Sequence, residues 1–334
     1  MIETTQIADT GLTSTRIGLG TWAIGGWMWG GTDETESIRT VQAAVDRGIT
    51  LVDTAPVYGM GESEELVGRA LAEGGRRDEV VLATKAGLEW QGRQPYRNAS
   101  PARIRHEVEE SLRRLQTDVI DVFQVHWPDP MVPVEETAQA MKALHDEGKI
   151  RAVGVSNFAP AELSRFMAEA PLHVIQPPYN IFERHAEQDV LPFAREHGQT
   201  TLTYGALCRG LLTGKLTPET SFEGDDLRNV DPKFRAPRYT QYLAAVNKLD
   251  ALAREHYGKR VIHVALAWLL RKPGVGVALW GARRPDQLDP VDEIADMHLD
   301  DATLVEMERI VNDTVTDPVG PEFMAPPTRQ AKAA

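Results

Sequence analysis

The chain has 334 residues, 42% hydrophobic and 25% charged, the balance of a folded globular protein and not of a disordered or fibrous one. Its net charge of −13 makes the surface as a whole repel nucleic acid and anionic membrane, so an anionic ligand needs a local basic site. The one cysteine, Cys208, cannot form an internal disulfide, no Cys/His cluster has zinc spacing, and no stretch matches an export signal or a membrane span of roughly 18 to 20 apolar residues; a cytoplasmic setting with no metal is expected.

In chain order, residues Ile7 to Gly18, with Asp9, Thr10 and Gly11 between short apolar runs, predict an N-terminal hairpin. Ile17 to Trp22 is the first of eight short apolar, β-rich runs. A helix follows, opened by an Asp33-x-x-Glu36 capping box, carrying Ile38, Val41 and Val45 on one face and stopped by Gly48. Runs two and three are Ile49 to Val52 and Val80 to Ala83. Ser100-Pro101, a cap followed by a first-turn proline, opens a helix with Ile104, Val108, Leu112 and Leu115 at helical spacing. The remaining runs are Val119 to Val125, Ala152 to Val155, Val174 to Gln176, Thr201 to Tyr204 and Val275 to Trp280. Helical patterns at Val134 to His145, Pro160 to Ala168, Ala186 to Glu196, Gln241 to Tyr257, Ile262 to Arg271 and Asp301 to Asn312 accompany them.

Continuous apolar strands are those covered on both faces, and their alternation with helices predicts an α/β fold, one (β/α)8 barrel domain across residues 1–334. Leu216 to Tyr239, rich in prolines and charges, is expected to be a long loop after strand seven, and residues 314–334 a mobile, Pro-rich tail.

Barrel chemistry sits at the carboxyl ends of the strands. Strand two ends at Asp53 with Tyr58 five residues on, strand three at Lys85, and strand four at His126. Alone, each has a duller role: Asp53 as a turn cap, Lys85 as a rim charge, His126 and Tyr58 as packing residues. Together they fit carbonyl reduction. A phenol can protonate the carbonyl oxygen as hydride reaches carbon, a nearby ammonium lowers the phenol's pKa, Asp53 holds that ammonium, and a neutral His126 orients the carbonyl. Trp22, Trp29 and Trp127, beside strand ends, are expected to wall a substrate pocket. The basic residues Arg209, Lys215 and Arg283 suit coenzyme phosphates, with Arg283 the candidate for a 2′-phosphate, while Arg284 reads as a solvated rim charge.

Leu51-Val52-Asp53-Thr54-Ala55-Pro56-Val57-Tyr58-Gly59, followed by Glu64 and Leu66-Val67-Gly68, resembles the aldo-keto reductase signature. The resemblance runs from about Gly11 to Asn312 and implies an NADP(H)-dependent reductase with Asp53, Tyr58, Lys85 and His126 as its catalytic residues. It further implies Ser156, Asn157 and Gln176 at the nicotinamide carboxamide and Tyr204 stacked on the ring. Thr21, Trp22 and Asp53 join the coenzyme contacts on the same ground, as do Gly281 and Gln287 beside Arg283. Tyr204-Gly205-Ala206-Leu207-Cys208-Arg209-Gly210-Leu211-Leu212-Thr213-Gly214-Lys215 is similar to the family's pyrophosphate belt. Its Gly205-Ala206, where Ser-Pro is commoner, is similar to bacterial glycerol dehydrogenases and glyceraldehyde reductases, which makes small polyols and hydroxyaldehydes the expected substrates. Val291 departs from the pattern, since an adenine-contacting Asn is common there.

Two phosphate-binding motifs are only formal. Gly18-x-Gly20-x-x-Ala23 is followed by Gly25, Gly26, Gly30 and Gly31 where a dinucleotide-binding helix should open, and Gly210 to Lys215 is one residue short of a phosphate loop. Two other functions share this pattern of residues: a Schiff-base aldolase using Lys85, and a non-catalytic nicotinamide-binding subunit on the same fold.

Overall fold

The computed structural model describes residues 2–294 and 297–329. Eight parallel strands close into a barrel: β3 (Ile17–Gly20), β4 (Leu51–Asp53), β5 (Val81–Ala86), β8 (Ile120–Val125), β9 (Ile150–Ser156), β10 (Val174–Gln176), β11 (Thr200–Thr203) and β12 (Val277–Gly281). All eight predicted runs become barrel strands, with ends shifted by a few residues. The first stops at Gly20, not Trp22, because the chain turns away once the Thr21 N–H has reached the Asp53 carbonyl oxygen.

Leu51, Val81, Ala83, Val122, Ala152, Val174, Leu202 and Val277 form the cluster inside the barrel, while their strand neighbours pack outward against the helices in a much larger core. The predicted N-terminal hairpin is present, made by β1 (Thr4–Gln6) and β2 (Thr13–Thr15); Ile7, in the turn, is fully buried and belongs to the same inner cluster.

The helices are α1 (Glu34–Asp46), α2 (Glu62–Glu73), α3 (Pro101–Leu115), α4 (Val134–Asp146), α5 (Pro160–Met167), α6 (Val190–His197), α7 (Arg238–Tyr257), α8 (Val261–Arg271), α9 (Val291–Ile294) and α10 (Asp301–Thr314). Asp33 caps α1 by accepting from the Glu36 N–H at 2.9 Å, but Glu36 does not complete the capping box; its carboxylate pairs with Arg39. Ser100 and Pro101 open α3 as expected. The predicted Ala186 start of α6 belongs instead to a separate short turn, His185–Glu187.

Two features were not foreseen. A second hairpin, β6 (Leu88–Gln91) and β7 (Gln94–Arg97), projects from the end of β5 around the left-handed Gly92. The other concerns the tail, which composition makes mobile. Its described part is pinned across the barrel mouth: the Val319 N–H bonds the Tyr242 hydroxyl, Lys233 bonds the Gly320 carbonyl, Arg97 holds the Pro326 and Pro327 carbonyls, and Arg329 pairs with Asp129 at 3.0 Å. These bonds satisfy backbone groups that a Pro-rich segment cannot pair within itself.

The α2–α3 contact that backs β4 and β5 depends on Gly68, where an added Cβ would lie 2.4 Å from the Arg114 carbonyl oxygen and 2.8 Å from the Leu115 Cα. Gly68→Ala is therefore expected to lose about 1 to 3 kcal/mol in urea unfolding, despite the better helix propensity of alanine. Equal or greater stability would show that the two helices can part without loss.

Candidate active site

Each titratable residue sits where its strand ends. Asp53 closes β4, Lys85 is the penultimate residue of β5, and His126 directly follows β8. Tyr58 lies in the turn after β4, its N–H bonded to the Ala55 carbonyl, which returns the ring over the strand ends. Lys85 is fully buried, and its ammonium donates to Asp53 Oδ2 at 2.7 Å, the Thr54 carbonyl at 2.9 Å and the Tyr58 hydroxyl at 3.3 Å. The Tyr58 and His126 rings meet edge to face, with centroids 5.7 Å apart. The predicted quartet thus converges on one point.

The electrostatics differ from the sequence expectation in one respect. Burial, reinforced by the Asp53 carboxylate, pushes the Tyr58 phenol well above its ordinary range instead of lowering it. Burial pulls the Lys85 ammonium down, opposed by Asp53. Burial and the Lys85 charge hold His126 well below its usual value, so the imidazole is neutral, as expected, and able to donate from one nitrogen. The expected lowering of Tyr58 counted the cation but not the loss of water or the anion that neutralises it.

Asp53 also uses its other oxygen. Oδ1 accepts from Gln124 Nε2 at 3.1 Å and Gln176 Nε2 at 3.0 Å, and Gln176 Nε2 also reaches Gln124 Oε1 at 3.1 Å. Gln124 escaped the sequence reading because it lies inside an apolar run, although a glutamine two residues before His126 points to the same face of the strand end. Beside this group, Ser156 donates to the Gln176 carbonyl, Asn157 donates to the His126 carbonyl, and the Tyr204 hydroxyl donates to Asn157 Oδ1 at 2.9 Å.

Above this floor opens a cavity of about 920 Å³, lined by Thr21, Trp22, Trp29, Asp53, Tyr58, Tyr204, Gly205, Ala206, Leu207, Arg209, Lys215, Gly281, Arg283 and Gln287 among the expected residues. Trp22 stacks on Tyr58 and meets Trp29 edge to face, so both wall the catalytic end. Trp127 does not line it; it packs with Val57 and Leu88 under the Arg97 guanidinium. Lys85, His126, Ser156, Asn157 and Gln176 lie beyond the lining, beneath or beside it. Cys208 and Gly214 lie outside it too. Burial pushes the Cys208 thiol up to about 12, consistent with a packed apolar residue, and Gly214 is the left-handed end of the short turn Cys208–Thr213.

The cavity is also basic. Arg283 and Arg284 line it with Lys215 and two arginines that the sequence reading missed, Arg228 and Arg260. Arg228 comes from the long loop after β11, which is not featureless. Short turns at Leu227–Asn229 and Pro232–Phe234, capped by Asp226 and Asp231, fold it back against Met28 and Gly30. Arg283 donates to the Trp29 carbonyl at 2.8 Å and to the Gly31 carbonyl, tying the same stretch to β12. A pocket that combines hydroxyl, amide and guanidinium groups, in a chain of net charge −13, fits a nicotinamide dinucleotide in the chemistry of its donors.

Arg209 is different from the other cations. It is buried between Glu183 and Asp231, each 3.1 Å away, while Lys233 pairs with Glu183 at 2.8 Å. Its charge is already used inside the protein, which argues against the phosphate role expected of its side chain.

A (β/α)8 barrel with Asp, Tyr, Lys and His gathered at its carboxyl rim defines a class of nicotinamide-dependent oxidoreductases acting on carbonyl groups. The chain belongs to the aldo/keto reductase family, whose sequence profile matches residues 16–312. It is 61% identical over 329 residues to the aldo-keto reductase YhdN of Bacillus subtilis (strain 168), covering 98% of this chain and 99% of that one. A similarity of 35% over 311 residues, 89% of this chain and 94% of the relative, links it to the NADH-specific methylglyoxal reductase of Escherichia coli (strain K12). The glycerol dehydrogenase AKR11B4 from Gluconobacter oxydans has a similar structure, with a TM-score of 0.87, 49% identity and coverage of 96% of this chain and 99% of that chain. The protein is thus an oxidoreductase enzyme with a small-molecule substrate, and no helix among its described residues is long and apolar enough to cross a membrane.

Removing one member of a buried ion cluster leaves its partner charges uncompensated. Arg209→Met is expected to cost about 3 kcal/mol in urea unfolding, since Glu183 and Asp231 would then share Lys233 alone. A variant as stable as the parent but weaker in coenzyme binding would instead assign the guanidinium to the phosphates.

Proposed function

We propose that the protein is an NADP(H)-dependent reductase of small carbonyl compounds, such as aldehydes, hydroxyaldehydes and simple ketones, and acts in reverse on alcohols and polyols of the glycerol and glyceraldehyde type. The observation that carries this reading is the Lys85 ammonium held between Asp53 and the Tyr58 hydroxyl on the floor of a cavity lined by several basic residues. The similarity to the structure of a glycerol dehydrogenase supports the substrate class.

When bound, the reduced nicotinamide supplies the hydride. Ser156, Asn157 and Gln176 would hold its carboxamide, Tyr204 would pack on its ring, and Lys215 with the arginines would take the phosphates. Tyr58 donates its phenolic proton to the carbonyl oxygen while neutral His126 donates a hydrogen bond that orients that oxygen. The phenolate left behind lies beside Lys85, whose charge then has a second anion to stabilise. Trp22 and Trp29 supply an apolar wall that suits a small substrate. A Schiff-base role for Lys85 is disfavoured, because its amine is already engaged by Asp53 at 2.7 Å, the Thr54 carbonyl and the Tyr58 hydroxyl, and it does not line the cavity.

Because Tyr58 is raised, the protonated phenol is the resting form through neutral pH, so carbonyl reduction should be nearly flat from about pH 6 to 8 and alcohol oxidation should climb as the phenol begins to ionise. Tyr58→Phe should bind NADPH as the parent does and lose roughly two to four orders of magnitude in turnover in both directions. Near-parental turnover with glyceraldehyde and NADPH would remove Tyr58 from its role.

Coenzyme preference is a separate question, since the Escherichia coli relative is named for NADH. Arg283 lines the cavity, and a charge-assisted bidentate contact contributes about 1.5 to 3 kcal/mol, a factor of roughly ten to a hundred. Arg283→Ala should raise the NADPH dissociation constant by that factor, leave NADH binding within about twofold, and change saturated turnover little. Equal weakening of both coenzymes would assign Arg283 only to tying down Trp29 and Gly31.

A further inference from the structure

We infer that Gln124 is a positioning residue for the proton-transfer group, acting through Asp53 to fix the carboxylate that holds Lys85 beside Tyr58. The inference rests on the proposed reaction and goes beyond it, since Gln124 touches neither Tyr58 nor Lys85 by any hydrogen bond described here.

Gln124 is fully buried on β8 with apolar strand neighbours, where an amide costs free energy unless both its ends are bonded. Both ends are bonded. The amide nitrogen donates to Asp53 Oδ1 at 3.1 Å and the amide oxygen accepts from Gln176 at 3.1 Å. The reverse orientation would face one oxygen with another and one donor with another, so the network fixes the amide in one sense. Space for it is provided on the neighbouring strand: a Cβ added at Gly154 of β9 would lie 2.7 Å from the Gln124 Cγ. The position is built for a side chain of this length.

The consequence is a division of labour between the two oxygens of Asp53. Oδ1 takes two amide donors from β8 and β10, leaving Oδ2 for Lys85, and the carboxylate cannot rotate without losing both amide bonds. Because the donors draw negative charge toward Oδ1, they lessen what the carboxylate presents to Tyr58. Among the described residues, the charged and titratable groups facing this spot are Asp53 and Tyr58 from β4 and its turn, Lys85 from β5, His126 past β8, Tyr204 past β11, which acts on Tyr58, and Glu64 of α2, which acts on Lys85. The residues facing it from β9 and β10, Gly154 and Gln176, carry none.

Two variants of the holoenzyme test this, with glycerol oxidation and glyceraldehyde reduction followed against pH. In Gln124→Leu the carboxylate keeps one amide donor. Turnover should drop roughly tenfold to a hundredfold, as for loss of an outer partner of a working group, with the NADPH dissociation constant within about threefold. The alkaline rise of glycerol oxidation should move to higher pH, because more of the Asp53 charge then opposes phenolate formation. Gln124→Glu is the conservative test. A protonated Glu makes both bonds of the amide, donating to Asp53 and accepting from Gln176, so turnover should approach the parent at acidic pH and fall as the second carboxyl ionises. Should Gln124→Leu fail to fold, this pH-dependent rescue carries the test by itself. The inference is overturned if Gln124→Leu matches the parent in rate and in the position of the alkaline rise, or if both variants are depressed equally at every pH, as a packing role requires. A parent with no turnover on any carbonyl, or one indifferent to Tyr58→Phe, would bring down the proposed function as well.

Discussion

The structure is organised around a single buried cation. Lys85 carries its charge at the end of β5 with no exposure to water, which is tolerable only if an anion and further acceptors sit within hydrogen-bond reach. Asp53 supplies the anion, the Thr54 carbonyl a second acceptor and the Tyr58 hydroxyl a third. The carboxylate brings its own requirement, met by Gln124 and Gln176. One buried charge thereby fixes side chains from β4, β5, β8 and β10. Such a set can be held rigidly only because the strand ends of a closed barrel lie at fixed distances from one another.

A second buried ion cluster serves the other half of the cavity. Cys208 and Arg209 both adopt positive φ, a strained conformation for residues with side chains, and they do so in the belt that lines the coenzyme cavity. The strain is held by Glu183, Asp231 and Lys233, drawn from the segment after β10 and from the long loop. The tail reaches the same place, since Lys233 bonds Gly320 and the Arg209 and Lys233 charges lie over the Phe323 ring. Loop, belt and tail therefore meet at one packed set of charges, which joins the apolar contacts of Leu227, Phe234 and Tyr239 in ordering the loop.

This explains which parts were legible from the sequence. The barrel strands were legible because a strand covered on both faces must be an unbroken apolar run, and the clustered quartet because Asp53, Lys85 and His126 each end or follow such a run. The β6–β7 hairpin was not, for Leu88 to Arg97 is largely polar and pairs only with itself and the tail. Nor could composition reveal that the tail is pinned, since its bonds are made by backbone carbonyls with Arg97 and Lys233, which no hydrophobic pattern records. Arg209 and Arg283 show the limit most plainly. A sequence shows a cation, but whether that charge is free for a ligand depends on partners such as Glu183, 26 residues away, or the Trp29 carbonyl, 254 residues away.

The reversed shift at Tyr58 follows from the same bookkeeping of charge and has a catalytic meaning. In the resting site Lys85 is engaged by Asp53 at 2.7 Å and only loosely by the phenol at 3.3 Å, so the pair together does little to ease ionisation. An interaction strong in the resting state would stabilise reactant and transition state alike and leave turnover unimproved. Here the contact is long while the phenol is neutral, and under the proposed reaction it would strengthen as the proton departs and negative charge grows on the phenolic oxygen. The same Asp53 that keeps the phenol protonated also keeps the ammonium charged and aimed at it. Under the proposed reaction, this arrangement would place the cation's main contribution in the transition state of proton transfer, where it would raise rate instead of affinity.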